Sequence, residues 1–448
     1  MCCCPEGATC MLVFSICAAV LGMFQFGYNT GVVNAPQNVI KEFIADIYKT
    51  RTGHAIADNF KDLLWAITVS VFAIGGMVGG ISGGSIADKF GRKGGLLLNN
   101  ITGIVGAGFM GFSKISRSVE LLIIGRLIIG FNCGLNTALV PMYLSEIAPL
   151  TLRGGLALVR LRCSNHVEDD LEEMKAEERA QQQEAQISMW QLICSKSLQL
   201  PLIIGVVMQL SQQLSGINAV FYYSTGLFTA AGLSQLSAMY ATIGVGAVMV
   251  IMTLVSIPFM DRAGRRTLHL YGLGGMFIFS IFITISLLVK FLYHWVTYLS
   301  VISTLAFVVF FAIGPGSIPW MITAELFSQG PRPAAMSIAV LVNWFANFTV
   351  GLVFPQMQRW LENYTFLPFT FFLAIFWTFT YKKVPETKNK TFEEISALFR
   401  RDEIININGV SIPKKSLQGE LVFEEKPVET YGTFQAGGWH YYMERHAL

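Results

Sequence analysis

The sequence predicts an all-α protein, a polytopic bundle of membrane-spanning helices, and three observations support this class. Hydrophobic residues make up 53% of the 448 residues and charged residues only 14%, which is too little charge to cover a soluble protein of this length. Apolar runs long enough for a helix to cross the hydrocarbon core recur along the chain. Runs of this length exclude a closed β-barrel, the other structure that satisfies its backbone in lipid.

Ten apolar runs are predicted to span the membrane. They lie at about 11–33, 63–86, 94–112, 121–145, 200–229, 236–260, 268–291, 299–324, 334–357 and 366–382. Basic residues fill the turns after the second and sixth runs and follow the tenth, as at Arg92, Arg265 and Lys382. The positive-inside rule then predicts that both termini are cytoplasmic and that the loop at 34–62 is external.

The chain is predicted to have four parts. These are an N-terminal transmembrane half of four spans at 1–152, a charged cytoplasmic helical linker at 153–199, a C-terminal half of six spans at 200–384, and a cytoplasmic tail at 385–448. None of the eight cysteines falls in a predicted external segment, so no disulfide framework is expected. For Cys2 to Cys4, S-acylation and an incidental terminal cluster both stay open.

One charged motif occurs twice, as DKFGRK at 88–93 and DRAGRR at 261–266. About sixty residues later each copy is followed by a glutamate and then an arginine. These pairs are Glu146 with Arg153 and Glu325 with Arg332. Such a repeat indicates two related halves, as in many transporters. Two more spans follow Arg332 but none follows Arg153, so the first half lacks a helical hairpin by the symmetry of the chain itself.

Polar side chains in one apolar run are candidates for binding a polyhydroxy ligand. Gln212, Gln213 and Asn218 are carboxamides that can both donate and accept hydrogen bonds, and Phe221 and Tyr222 add flat surfaces. In a low-dielectric site each sugar hydroxyl needs such a partner, because unpaired polar groups are costly there. The same amides could instead join helices through interhelical hydrogen bonds. The residues alone leave both interpretations open.

Ten segments, in order, resemble those of a known family. They are FQFGYNTGVVNAPQ (24–37), DKFGRKG (88–94), GRLIIG (125–130), LSEIAPLTLRG (144–154), QQLSGINAVFYYS (212–224), DRAGRRTL (261–268), GPGSIPW (314–320), ELFSQGPRP (325–333), NWFANF (343–348) and VPETKNKTFEEI (384–395). The chain resembles the facilitative glucose (hexose) transporters, in the sugar porter branch of the major facilitator superfamily, up to about residue 400. That family has twelve spans, so the resemblance implies that the fifth and sixth are missing here.

The resemblance favours a sugar site over a purely structural role for the amides. It implies substrate contacts at Gln212, Gln213, Asn218, Phe221, Tyr222, Trp320, Asn343 and Asn347. It also implies a gating network of charges on the cytoplasmic face. This network comprises Asp88, Arg92, Glu146, Arg153, Arg265, Arg266, Glu325, Arg332 and Glu386. Each surface pair contributes only about 0–1 kcal/mol, so the network as a whole would act as the latch. A purely topological role for the arginines is the alternative.

Two positions depart from the family pattern, a third bears on proton coupling, and one motif predicts a hinge. Met249 and Ala312 stand where relatives offer an asparagine and a glutamate, so sugar preference is expected to differ. Asn29 stands where proton-driven relatives carry an aspartate, and an amide cannot titrate, which favours uniport. Glycine and proline at 314–316, together with Pro319, predict that the eighth span is interrupted.

Two functions are therefore predicted. The first is facilitative hexose uniport by alternating access in the plasma membrane, with hexose and lipid as ligands. The second is a transport-deficient shortened relative that binds sugar weakly, or associates with itself or with a full-length transporter. Four helices against six would leave the central cavity open to lipid on one side, so weak transport is expected. No His, Asp and Glu cluster lies within the spans, so neither an enzyme nor a metal site nor a cofactor is predicted. The net charge of +3 gives no indication of nucleic-acid binding.

Overall fold

A computed structural model describes residues 10–147, 187–290, 295–328 and 330–388, and short pieces at 390, 394–395, 399, 404–407 and 410–413. The cysteines at 2–4, most of the predicted linker and most of the tail lie outside the described residues. Nearly all described residues are helical, because the apolar runs can satisfy their backbone groups in lipid only within a helix. The predicted fold class is confirmed.

Four helices make up the described first half. They are α1 (Cys10–Gly31), α2 (Gln37–Thr52), α3 (Asp58–Ile115) and α4 (Val119–Ile147). Helix α3 contains two predicted spans and is broken at Gly91, whose φ of 72° and ψ of 163° are not helical. Helix α2 lies where the sequence predicted only a loop between 34 and 62. That prediction is corrected, because apolar residues at helical spacing bury Ile44 and Ile47.

From residue 189 onward the structure describes nine further α-helices, the first of them within the predicted linker. They are α5 (Met189–Cys194), α6 (Gln199–Gln213), α7 (Ile217–Ala230), α8 (Gln235–Ala263), α9 (Arg265–Val289), α10 (Val296–Ile313), α11 (Ile318–Glu325), α12 (Arg332–Leu361) and α13 (Leu367–Lys383). The break between α10 and α11 lies at the predicted glycine and proline motif. The predicted span at 200–229 corresponds to one apolar helical stretch, Gln199–Ala230, with an interruption at residues 214–216, between α6 and α7, that the sequence did not predict.

Helices lie at all ten predicted span positions. In the described part, seven helical stretches are long and apolar enough to cross a membrane, and the longest, Asp58–Ile115, holds two predicted spans. Helices α1 and α13 occupy the remaining two positions. The chain is thus a multi-pass membrane protein, and the number of crossings stays a prediction.

The chain forms two compact units, Met1–Ser396 and Ala397–Leu448. In the second unit the structure describes two antiparallel strands, β1 (Ile404–Ile407) and β2 (Val410–Pro413). This division does not separate the helical halves, so the predicted boundaries at 152, 199 and 384 are not tested.

Glycines spaced four residues apart in α3 allow the helices of the first unit to approach closely. A Cβ on Gly75 would lie 2.1 Å from the carbonyl oxygen of Leu127 in α4, and one on Gly79 would lie 2.2 Å from that of Phe131. The opposite side of α3 packs against α12, where a Cβ on Gly76 would lie 2.6 Å from the Trp344 ring. Helix α3 is therefore the main contact between the two halves.

The largest buried apolar cluster lies mainly in the second half and is rich in aromatic rings. Phe354 of α12 is stacked on Tyr223 of α7, with ring centroids 5.2 Å apart, and on Phe369 of α13 at 6.3 Å. These rings fix α7, α12 and α13 against one another next to the predicted site.

Helix α8 is covered by other helices far less than the remaining spans are. Only 11% of its apolar stretch is buried, against 44–61% in the other six stretches. Leu236, Tyr240, Ile243, Val250 and Leu254 are each 62–67% exposed. One face of α8 is thus left without protein contact by the described residues.

The close contact of α3 with α4 gives a prediction about stability. Gly75→Ala places a methyl group against backbone atoms of α4, and we expect it to destabilise the protein by about 1–3 kcal/mol. Gly84→Ala is the matched control, since a Cβ there meets no described atom within 4 Å. Thermal unfolding in detergent measures both variants. An equal melting temperature for the two would contradict the tight packing of α3 on α4.

Candidate functional site

Two breaks in helices lie side by side in the second half. Between α6 and α7 the chain turns at Gly216, whose φ is 93° and whose Cβ would lie 2.7 Å from the Phe369 ring. Between α10 and α11 it turns at residues 314–317, against Gly272 of α9, where a Cβ would lie 2.6 Å from Pro315 Cδ. Both turns need glycine, the first for its backbone conformation and the second for the close approach of α9.

Gln212 joins the two breaks. Its Nε2 donates to the carbonyl oxygens of Pro315 at 2.8 Å and Gly316 at 2.7 Å. A helix break frees carbonyls that would otherwise be bonded within the helix, and in an apolar interior these need a donor. The Gln212 side chain supplies that donor and ties the end of α6 to the start of α11.

Four of the predicted sugar-contacting residues form one hydrogen-bonded amide cluster. Asn343 Nδ2 donates to Gln212 Oε1 at 2.6 Å, and Gln213 Nε2 donates to Asn343 Oδ1 at 2.9 Å. Asn218 Nδ2 donates to Gln213 Oε1. All four side chains are buried, with at most 7% exposed. The sequence placed Gln212, Gln213 and Asn218 in one apolar run and Asn343 in another, and the structure brings the four together.

The remaining predicted contacts lie around this cluster. Tyr222 donates to Asn347 Oδ1 at 2.7 Å, and this pair lies one helical turn from Asn218 and Asn343 on the same two helices. Phe221 is half-buried with its ring edge towards Phe311, at a centroid distance of 6.2 Å. Trp320 is half-buried in α11, and no hydrogen bond is described that joins it to the amides.

Sequence reasoning missed Gln209. It is fully buried, and its Oε1 accepts a hydrogen bond from Asn343 Nδ2 at 2.8 Å. Its Nε2 is buried and has no partner among the described residues. The signal was present in the sequence, since Gln209, Gln212 and Gln213 are spaced three and four residues apart, on one side of a helix. The cluster therefore has one unused donor.

The two departures from the family pattern are apolar in the structure as well. Ala312 is buried beside the break in α10, and Met249 packs on the aromatic cluster. Neither offers a hydrogen bond through its side chain. The polar groups of the site come from α6, α7 and α12.

In the predicted cytoplasmic network, the contacts that the structure describes are made within the second half. Glu386 accepts hydrogen bonds from the backbone nitrogens of Arg265 at 2.9 Å and Thr267 at 3.4 Å, so it caps the N-terminus of α9. Arg265 Nε lies 3.4 Å from Glu325 Oε1, and Glu325 also accepts from Thr387. The Glu386 carboxylate lies at the N-terminus of α9, where the helix dipole favours negative charge.

The other members of the network are placed as follows. Arg266 donates to the carbonyl oxygen of Tyr381 at 2.6 Å, and Arg332 donates to that of Phe327 at 3.0 and 3.1 Å. Asp88 is exposed and Arg92 half-buried. The Glu146 side chain and all of Arg153 lie outside the described residues. A latch between the halves on this face stays a prediction.

The two copies of the charged motif adopt the same backbone turn. Gly91 has φ 72° and ψ 163°, and Gly264 has φ 90° and ψ 156°. Their surroundings differ. A Cβ on Gly264 would lie 2.7 Å from the Glu386 carboxylate, whereas one on Gly91 meets no described atom within 4 Å. The repeat found in the sequence is therefore present in the structure, and a described carboxylate, Glu386, caps the second copy.

Arg126 is a fully buried cation next to Asn29. It donates to the Asn29 carbonyl oxygen at 2.9 Å and to that of Thr68 at 3.4 Å, and its guanidinium lies 4.6 Å from the centre of the Phe72 ring. No carboxylate of the described residues lies within ion-pair distance of it. Backbone carbonyls and a ring face compensate the charge in place of an acid.

At the end of the bundle predicted to be external, Asn34 connects the halves. Its Nδ2 donates to the Phe221 carbonyl oxygen at 2.9 Å and to Ser224 Oγ at 2.7 Å, and its Oδ1 accepts from the Thr225 nitrogen at 3.2 Å. Asn34 follows α1, and its partners belong to α7. One buried amide thus closes the first half onto the helix that carries Asn218 and Tyr222.

The sequence matches one protein family and several curated relatives. The model of the family described as sugar (and other) transporter matches residues 14–161 and 157–399. Facilitated glucose transporter member 3 of the solute carrier family 2 from sheep (Ovis aries) is 43% identical over 458 positions, covering 87% of this chain and 92% of the relative. The human (Homo sapiens) member 3 is 40% identical, with 90% and 97% covered.

Solved structures show the same fold. A crystal structure of a D-xylose-proton symporter matches with a TM-score of 0.65 at 24% identity, covering 85% of this chain and 99% of that one. The major facilitator proton:xylose symporter bound to 6-bromo-6-deoxy-D-glucose matches with a TM-score of 0.63 at 26% identity, covering 87% and 99%. The bundle therefore has the major facilitator fold.

The cap on α9 predicts that Glu386 stabilises the protein more than an exposed glutamate does. Glu386→Gln keeps an acceptor but loses the negative charge at the helix N-terminus, so we expect a loss of about 0.5–1 kcal/mol of stability. Glu362→Gln, at an exposed glutamate, is the control and should leave the melting temperature unchanged. Thermal unfolding compares them. A drop of the same size in both variants would contradict the capping role.

Proposed function

Because the chain belongs to the sugar transporter family, as the family model and relatives at 40–43% identity show, we propose that it carries a hexose across the membrane by facilitated diffusion. The observation that supports this most directly is the buried amide cluster at two adjacent helix breaks. A sugar presents hydroxyls that donate and accept, and the carboxamides of Gln212, Gln213, Asn218 and Asn343 can do both. Tyr222 and Asn347 extend the polar surface by one turn.

Most polar groups of the cluster are paired within the protein, and Gln209 Nε2 is the exception among those described. The amides bond to one another and to the carbonyls of the break between α10 and α11. A hexose would replace these bonds with its own hydroxyls, so binding would also release Gln212 from Pro315 and Gly316. That exchange couples sugar binding to the hinge between α10 and α11, which supports its role in gating.

Uniport is supported by the surroundings of Asn29. Its side-chain amide donates to the Gln25 carbonyl oxygen at 2.9 Å, and its backbone carbonyl accepts from Arg126. Neither group changes its charge at physiological pH. No carboxylate of the described residues contacts Arg126, so this site offers no acid that could bind a proton and couple its movement to that of sugar.

For the cellular setting, we propose the plasma membrane, with both termini and the second-half charge network on the cytoplasmic face. The basic residues Arg265, Arg266 and Arg332 lie together at one end of the bundle, which is what the positive-inside rule expects of a cytoplasmic face. The network would hold the cytoplasmic side closed when its first-half members join it.

We further propose that the first half lacks the family's fifth and sixth helices. The alignment with the sheep relative has 458 positions, more than the 448 residues of this chain, and yet covers only 87% of it. The alignment must therefore include positions that the relative has and this chain lacks. The family model also matches in two pieces that meet at residues 157–161, which is where the repeat placed the gap.

The uncovered face of α8 supports the same proposal. The first part of α3 and all of α8 each precede a copy of the charged motif, so they are counterparts in the repeat. Helix α3 packs against α12, which follows Arg332. By symmetry α8 should pack against a helix that follows Arg153, and the predicted linker occupies that position.

A shortened bundle is the observation behind the second candidate function, in which transport is weak and the chain binds sugar or associates with itself or a full-length relative. The family relationship favours the transporter over this alternative.

Facilitated diffusion is tested with liposomes that contain only the purified chain. Uptake of labelled glucose should be saturable and independent of a proton gradient, and Gln212→Leu should weaken binding about tenfold or more, because buried amides then lose a partner.

The control for that variant is Gln235→Leu, at an exposed glutamine near the start of α8, which should bind glucose like the unaltered chain. Two results would overturn the proposal. One is glucose affinity unchanged by Gln212→Leu in a folded protein, and the other is uptake that requires a proton gradient.

The hairpin proposal predicts where lipid touches the protein. A lipid-soluble carbene reagent should label Ile243 and Val250 of α8 strongly in the unaltered chain. In a version with a relative's fifth and sixth helices inserted after Arg153, their labelling should fall several-fold, while Ile278 of α9, also exposed, serves as the control. Equal labelling of α8 in both versions, read by mass spectrometry, would show that the hairpin does not cover this helix.

A further inference from the structure

An acidic residue at the predicted external end bridges two cations. Asp62 lies in the second turn of α3. Its Oδ1 forms an ion pair with Lys41 Nζ of α2 at 2.9 Å, and its Oδ2 forms one with Arg359 Nη2 of α12. Both carboxylate oxygens are used. Lys41 and Asp62 belong to the first half and Arg359 to the second, so this ion pair crosses between the halves 297 residues apart in sequence.

The pair lies at one end of the contact between α3 and α12. That contact runs from Gly80 against Val340, through Gly76 against Trp344, to Gly351 against Ser70, and Asp62 with Arg359 follows beyond it. Three turns earlier, α12 carries Asn347 of the candidate site. Movement of α12 relative to α3 at this end would therefore break the ion pair and displace the site together.

Partial burial strengthens the electrostatic interactions among Lys41, Asp62 and Arg359. The side chains are 22–29% exposed, so they are screened less than free surface charges. Removing the Asp62 charge leaves Lys41 and Arg359 as two like charges facing one residue. Arg359 Nη1 is buried without a partner among the described residues, and Asp62 is the acid that this guanidinium contacts. Asp58, which pairs with Lys61, attracts Arg359 from a greater distance.

We propose that Asp62, Lys41 and Arg359 form an ionic latch that holds the external side of the protein closed. The inference rests on the proposed function, since a latch matters only if the halves alternate between two arrangements. Asn34 closes the same side with uncharged hydrogen bonds. The ion pair adds a component that weakens with salt, so it sets the balance between the two arrangements.

Hydrogen–deuterium exchange of the full chain in lipid nanodiscs tests the latch. Asp62→Asn should speed exchange in α7 and in residues 31–37 about threefold, the size expected for a partly exposed ion pair. Exchange at the cytoplasmic segment 325–332 should slow at the same time, because opening one side closes the other. In 1 M salt, where the screening length is about 3 Å, the unaltered chain should shift in the same direction and Asp62→Asn should not.

Matched variants separate a latch from a loss of local structure. Glu120→Gln breaks the ion pair between Arg51 of α2 and Glu120 of α4, 2.5 Å apart and entirely within the first half, and should leave both sides unchanged. Arg359→Lys keeps the charge and should stay close to the unaltered chain. The double variant Asp62→Asn with Arg359→Gln should shift no more than either single change, since both remove the same pair.

Two outcomes overturn the latch. Faster exchange on both sides in Asp62→Asn would indicate local loosening, and an equal effect of Glu120→Gln would show that crossing between the halves is irrelevant. Glucose provides the separate readout for the proposed function. If glucose changes exchange in the unaltered chain but Asp62→Asn does not, the latch is wrong and the transporter stands. If glucose has no effect at any concentration while Asp62→Asn shifts both sides oppositely, the latch stands and the sugar assignment is wrong.

Discussion

Backbone carbonyls freed inside an apolar bundle must find donors, and the bond from Gln212 to Pro315 and Gly316 meets that requirement at the centre of this protein. Without it the break between α10 and α11 would leave two carbonyl oxygens unpaired in a medium without water. Asn343 holds the other end of the Gln212 amide, so α6, α11 and α12 meet through one side chain. The aromatic cluster behind Tyr223 and the close approach of α9 at Gly272 keep these helices in place.

Much of the bundle could be predicted from sequence because hydropathy is a local property. The length of each apolar run shows directly whether it can span the membrane, and the glycine and proline residues at 314–316 themselves cause the helix break there. The break at 214–216 could not be predicted, because it contains no proline and depends on the Phe369 ring lying over Gly216. Helix α2 was missed because charged residues on its outer face make the segment resemble a loop.

For the candidate site too, some features could be predicted from the sequence and others depend on tertiary packing. Amides in apolar runs signal a polar function, and the resemblance supplied Asn343 and Asn347, but only tertiary packing shows which amides bond to one another. Gln209 was overlooked although its helical spacing was visible. Contacts such as that of Asp62 with Arg359 leave no trace in sequence, because their partners lie hundreds of residues apart. The repeat was visible, since its two glycines impose the same turn, whereas the unequal cover of α3 and α8 required the structure.

The buried guanidinium of Arg126 has an effect on solutes other than sugars. Arginine keeps its proton under all ordinary conditions, and here carbonyl dipoles and a ring face surround it without an acid among the described residues. These dipoles offset part of its charge, and the remaining positive field extends into the low-dielectric interior. A sodium or potassium ion entering between the halves would meet a repulsive potential, while a neutral solute would not. One fixed charge would in this way disfavour cations between the halves without hindering an uncharged molecule.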